Sequence, residues 1–82
     1  MVEVARLHKV ENGTSLKAFA DVIVYGQMLV KGFRVIEGKN GLFVAMPQSQ
    51  AKKDGKWYNI VELLNDEAKQ ELQETVLEAF NS

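Results

Sequence analysis

Apolar and polar residues alternate through most of the first two thirds of the chain, and glycine-containing clusters interrupt the alternation. Val2 to Val10 reads as a strand ended by the turn cluster Glu11-Asn12-Gly13-Thr14-Ser15, where Asn-Gly supplies the positive φ angles of a hairpin. Leu16 to Val24 alternates, with Leu16, Ala18, Ala20, Val22 and Val24 on one face. Its other face carries Lys17, Phe19, Asp21, Ile23 and Tyr25 and is only partly polar. Gly26-Gln27 marks a second reversal, into Met28 to Ile36. Gly38-Lys39-Asn40-Gly41 makes a third, with left-handed angles expected at Asn40 and Gly41. Leu42 to Met46 is almost wholly apolar, which predicts a short strand covered on both faces. Sequential strands with short connections favour an antiparallel meander.

Pro47 ends the last of these strands because it cannot donate a ladder hydrogen bond. The polar stretch Gln48 to Lys56 predicts a loop, with a tight turn at Asp54-Gly55 leading into Trp57-Tyr58-Asn59-Ile60. Asn65 then caps a helix, and Asp66 and Glu67 complement its dipole. The spacing changes to three and four: Ala68, Leu72, Val76, Ala79 and Phe80 form one apolar stripe. The expected fold is α+β, a curved antiparallel sheet of four to five strands with a C-terminal helix packed on it. It forms a single domain over residues 1–82, with the sheet in 1–64 and the helix in 65–82.

Composition narrows the functional classes. No apolar run approaches the ~20 residues that cross a bilayer, and Met1-Val2-Glu3-Val4 does not resemble the start of a signal peptide. The simplest expectation is a cytoplasmic protein. Cysteine is absent, which removes disulfides, thiolate nucleophiles and thiolate-bound zinc. Charge is divided along the chain: nine Lys/Arg oppose five acids from Met1 to Ile60, whereas Lys69 alone opposes six acids from Val61 to Ser82. Such asymmetry accompanies charged partners, although an acidic helix face is more often simply solvated.

Catalytic templates do not fit. His8 is the only histidine, so no second imidazole is available for a metal site. As a lone strand histidine, His8 reads as structural or solvent-facing. Ser15 or Ser49, His8 and Asp21 contain the letters of a triad without supporting spacing. Glu67, Glu71, Glu74 and Glu78 share a helix face, read as solvated surface rather than a metal site. Glu37-Gly38-Lys39-Asn40-Gly41 lacks the spacing, the Ser/Thr and the following helix of a phosphate loop. The chain is expected to have no enzymatic activity, no cofactor, no metal and no small-molecule substrate.

Basic residues are the remaining candidates. Lys52, Lys53 and Lys56 surround the segment after Pro47 and precede Trp57 and Tyr58. Lysines of that kind can meet phosphates while aromatic rings stack on bases; equally, they can be solubilising charges beside a core tryptophan. Arg34 lies inside an apolar strand. It is either paired with Glu37 or Asp21, or it projects toward a partner.

From Val30 to Pro47 the chain resembles the SpoVG family of small bacterial regulators, the stage V sporulation or septation proteins. The matching residues are Arg34-Val35-Ile36, Glu37-Gly38 and Asn40-Gly41-Leu42-Phe43-Val44-Ala45-Met46-Pro47. Val4-Ala5-Arg6-Leu7 with Val10, Asp54-Gly55, Ile60 and Asn65 match more loosely. The resemblance implies a homodimeric α+β protein without catalysis or cofactor. It also implies binding to DNA, with RNA in some members, and roles in septation, sporulation or gene expression. Members of the family usually carry basic residues directly after the Ala-Met-Pro, where this chain has Gln48-Ser49-Gln50 and its lysines follow at Lys52 and Lys53. Tyr58 replaces a common arginine, and Glu62-Leu63 replaces a His-Pro pair. The expected nucleic-acid-binding residues are Lys52, Lys53, Lys56 and Arg34, with no membrane partner. The rival expectation is an adaptor that binds proteins through its acidic helix or its sheet edge.

Overall fold

The computed structural model of the protein describes residues 2–11 and 13–82. Four strands, β1 (Val2–Lys9), β2 (Leu16–Val24), β3 (Met28–Gly38) and β4 (Gly41–Ala45), form an antiparallel meander in chain order. Two short strands, β5 (Gln48–Gln50) and β6 (Trp57–Asn59), pair with each other as a separate antiparallel ribbon. The helix α1 (Asp66–Asn81) closes the chain. The α+β architecture is the one the hydrophobic pattern predicts.

Register divides the sheet into two faces, because residues opposite each other in a ladder point the same way. Across the inner face run Val4, Val22 and Val30; then Leu7, Ala20 and Phe33; then Ala18, Val35 and Val44. Ala18, Ala20, Val22, Phe33, Val35 and Val44 are buried there, together with Leu72 and Val76 of the helix. The helix approaches the edge strands β1 and β4 most closely, and the large Phe33 fills the space beside Ala20 on the inner face. The outer face carries the row His8, Phe19, Arg34 and Ala45 and the row Leu16, Ile36 and Phe43.

Three register shifts set which side chain faces where. The ladder slips between Val4 and Arg6, between Leu16 and Ala18, and between Ala20 and Val22. In the last, β3 inserts one extra residue, so Val30 and Phe33 share a face although they lie three apart. Gly32 in this bulge has φ +97, which an L side chain rarely adopts. The middle shift corrects the sequence reading of Leu16: it pairs with Ile36, while Ala18 pairs with Val35, and so lies on the outer face.

Three other expectations are corrected. Leu42 to Met46 is not covered on both faces: Val44 is buried, whereas Phe43 is 43% exposed. Gln48 to Lys56 is not all loop, because Gln48–Gln50 pairs with Trp57–Asn59. In the β3–β4 turn only Gly41, at φ +114, takes a positive angle, and Asn40 does not. Of the first turn, Gly13 has φ +73, while Asn12 lies outside the described residues. In the second turn, where the Gln27 N–H donates to the Val24 carbonyl at 3.1 Å, the positive angles fall on Tyr25 (φ 52) and Gly26 (φ 67), the pair a type I′ turn requires.

The helix begins where Asn65, extended at φ −149 and ψ 166, accepts a hydrogen bond on Oδ1 from the Ala68 N–H at 2.8 Å. Its stripe packs Leu72 and Val76 into the core, with Ala68, Ala79 and Phe80 half-buried. At the far end Lys9 Nζ lies 5.2 Å from the Phe80 ring centre, a cation–π contact between β1 and the helix. Gln73 secures the other side. Its Nε2 donates to the Val44 carbonyl and its Oε1 accepts from the Val44 N–H, each at 2.9 Å. This side chain thus acts as a one-residue strand on the free edge of β4. No helix among the described residues is long and apolar enough to cross a membrane.

Candidate nucleic-acid interface

The β5–β6 ribbon is held by polar groups rather than by a core. The Ala51 N–H donates to the Lys56 carbonyl and the Gly55 N–H to the Ala51 carbonyl, both at 2.9 Å. Gln50 Nε2 donates to the Gly55 carbonyl at 2.9 Å, and Gln48 Nε2 to Asn59 Oδ1 at 2.8 Å. The Ile60 N–H reaches the Pro47 carbonyl at 2.9 Å and ties the ribbon to its root. Gly55, at φ +71, closes the turn.

Asp54 organises the tip. Its Oδ1 accepts the Lys56 N–H at 2.9 Å and its Oδ2 accepts the Tyr58 hydroxyl at 2.7 Å. The Lys56 N–H, and secondarily the Tyr58 hydroxyl, hold the Asp54 carboxyl below its ordinary value. The same bond pushes the Tyr58 hydroxyl above its ordinary value. Asp54 is therefore occupied by hydrogen-bond donors, and no carboxylate of the described residues lies within ion-pair distance of Lys52, Lys53 or Lys56. All three lysines are exposed. Three exposed lysines against one carboxylate leave the ribbon's turn net positive, which suits contact with phosphates.

Arg34 lies on the outer face of the sheet, opposite Phe19 on one side and Ala45 on the other. The alternatives left open by its spacing are resolved: Asp21 pairs with Arg6 at 3.2 Å and Glu37 with Lys17 at 3.7 Å, so neither acid serves Arg34. Its Nη2 instead donates to the Met46 carbonyl at 3.4 Å. Trp57 is not a core residue; it is 60% exposed. Together with Phe19, Gly32, Arg34 and Gln48, it lines an open cleft of about 430 Å³ between the outer face and the ribbon.

The structure thus brings Lys52, Lys53 and Lys56 together on one ribbon and places Arg34 in the cleft at the ribbon's root. Phe19 was missed as a site residue. Its signal was present in the alternation, as a large apolar side chain on the face opposite Ala18 and Ala20. His8 stands exposed in the same row as Phe19. The carboxylates of Glu67, Glu71, Glu74 and Glu78 line exposed positions of the helix, where Gln70 Nε2 donates to Glu74 Oε1 at 3.0 Å.

A meander of four strands under one helix, followed by a basic ribbon and an aromatic cleft, defines a small α+β protein with a single loaded face. The SpoVG family profile matches residues 1–82, and the chain belongs to that family. A relative from Macrococcus caseolyticus is 37% identical over 76 residues, covering 93% of this chain and 65% of its own length. One from Archaeoglobus fulgidus is 36% identical, covering 92% of this chain and 87% of its own. A third, from Listeria monocytogenes serotype 4b, is 37% identical, covering 92% and 72%. All three are named as candidate septation proteins of the SpoVG type. The chain therefore spans slightly less than two thirds of the Macrococcus relative.

Proposed function

We propose that this chain is a small, non-catalytic homodimeric regulator that binds DNA, with RNA as a second ligand, and acts in septation, sporulation or gene expression. The observation that carries the reading is the cluster Lys52, Lys53 and Lys56 on a ribbon whose only acid, Asp54, is taken by the Lys56 N–H and the Tyr58 hydroxyl. Arg34 at the ribbon's root and Trp57, which pairs with Gln50 beside the turn, extend the surface toward a nucleic acid. Dimerisation is supported by the edge of β4. Gln73 covers Val44, and the alternation of an antiparallel ladder turns the backbone groups of Leu42 to the same open side. Phe43 adds exposed apolar surface beside that edge.

Two ribbons contribute roughly six phosphate contacts, which sets a log-affinity against log-salt slope of about −5 on duplex DNA. The test measures binding to randomised DNA and RNA pools at several salt concentrations, for the native chain and for Lys52→Glu/Lys53→Glu. A slope near that value, with loss of binding in the variant, is expected. A flat salt response, or undiminished binding by the variant, contradicts the reading. Failure to bind either nucleic acid, with recovery of a stable protein complex, would favour an adaptor instead.

A further inference from the structure

We propose that the cleft between the outer sheet face and the ribbon holds one unpaired base of a single-stranded segment, between Trp57 and Phe19 and beside Arg34. The proposal rests on the nucleic-acid reading above and deepens it, by assigning the ligand a single-stranded, base-out form.

The cleft is built from features that point the same way. Phe19 and Trp57 are 41% and 60% exposed, and both line the cavity. The floor between them is kept low by Gly32, whose φ of +97 disfavours any side chain. A buried Pro47 lies against this glycine, 3.6 Å from where a Cβ would sit. Arg34 is steadied by its bond to the Met46 carbonyl and has no carboxylate partner among the described residues. Its planar guanidinium can stack on a base or donate to it. Gln48 spends its amide N–H on Asn59 and keeps an oxygen able to accept from an exocyclic amine.

Chemistry selects the occupant. Two aromatic faces beside a guanidinium recognise a flat π-system, and in a duplex those base faces are hidden by stacking. The lysines on the same ribbon, with Lys56 adjacent to Trp57, supply the charge that flanking phosphates need. Charge also argues against a second copy of the chain at this face. A two-fold contact would set Arg34 and the three ribbon lysines against their own equivalents, with Asp54 as the one acid of the ribbon to offset them.

Trp57 is the only tryptophan, so its emission reports on the cleft directly. The test titrates the full chain with oligothymidylate, with the same oligomer carrying abasic sites, and with a hairpin duplex. Oligothymidylate should quench Trp57. The abasic oligomer, with its phosphates intact, should bind about tenfold more weakly and leave the emission unchanged, as should the duplex. Phe19→Ala should weaken oligothymidylate binding by several-fold.

Equal affinity for the intact and abasic oligomers would overturn the base site while leaving phosphate binding in place. Equal quenching by the duplex would overturn it too. Emission that changes with protein concentration alone and then ignores oligothymidylate would show a second copy in the cleft, and would also overturn it. Absence of binding to all three ligands would remove both this proposal and the reading beneath it.

Discussion

The two faces of the four-stranded sheet are built from the same strands, yet they spend their apolar residues differently. Beneath the helix, Ala18, Ala20, Val22, Val35 and Val44 are buried around Phe33, so this face holds the fold. On the opposite face, Phe19 and Phe43 remain exposed together with the Arg6–Asp21 ion pair. Exposed ion pairs contribute little stability, and exposed rings contribute less than buried ones. The comparison teaches that apolar character alone does not locate the core of so small a sheet. What separates the faces is which one the helix covers.

The largest expected effect sets two phenylalanines against each other. Phe33→Ala should destabilise the protein by about 3–5 kcal/mol, the usual cost of truncating a buried aromatic. Phe19→Ala should cost less than about 1 kcal/mol, because most of what it loses is surface. Denaturant unfolding of both variants measures the contrast, and equal losses would break it. Next comes the β4 edge. Gln73→Leu leaves the N–H and C=O of Val44 without their partner and should cost about 1–3 kcal/mol. It should also raise self-association through the uncovered edge, readable by sedimentation.

Asn65→Ala removes the helix cap and should cost about 1 kcal/mol without altering the outer face; thermal melting with a binding control separates the two. The smallest effect lies in the ribbon. Asp54 titrates below its ordinary value of 3.8, so the order it gives the tip is present above that value. This order is lost as pH falls through the lowered one. Tyr58 titrates above its ordinary value of 10.0, so its contribution is present below that value and is lost as pH rises through the raised one. Tyr58→Phe should move the Asp54 midpoint upward but not fully back, since the Lys56 N–H is the larger cause. A carboxyl-carbon NMR titration follows this shift, and an unmoved midpoint would show that the hydroxyl bond does not form.

Much of the fold was legible in the chain. The alternation in Leu16 to Val24, the glycine-marked reversals and the stripe through Leu72 and Val76 each reflect one periodicity and one burial requirement. Features that depend on neighbours were not legible. A bulge needs one extra residue opposite a particular partner, so nothing in Leu16 or Lys17 alone reveals the slip that sends Leu16 outward. The ribbon escaped because Gln48-Ser49-Gln50 has no apolar pattern, and its pairing rests on Gln48–Asn59 and on Asp54. Among the candidate site residues, the lysines were visible as a cluster. The surroundings of Arg34 were ambiguous until Asp21 and Glu37 were found with other cations. Phe19 looked like an imperfection in a polar face and acquired meaning only beside Trp57.

The central claim is that the outer face and the ribbon meet the ligand while the helix-covered face does not. It is tested most directly by mapping backbone amide NMR shifts as a single-stranded oligonucleotide is added to the isotopically labelled chain. The account predicts that the shifts concentrate at Lys52, Lys53, Lys56 and Trp57 and at Phe19 and Arg34, with the exposed acidic positions of the helix unmoved. Shifts concentrated on Glu67, Glu71, Glu74 and Glu78, or no shifts at saturating ligand, would contradict it.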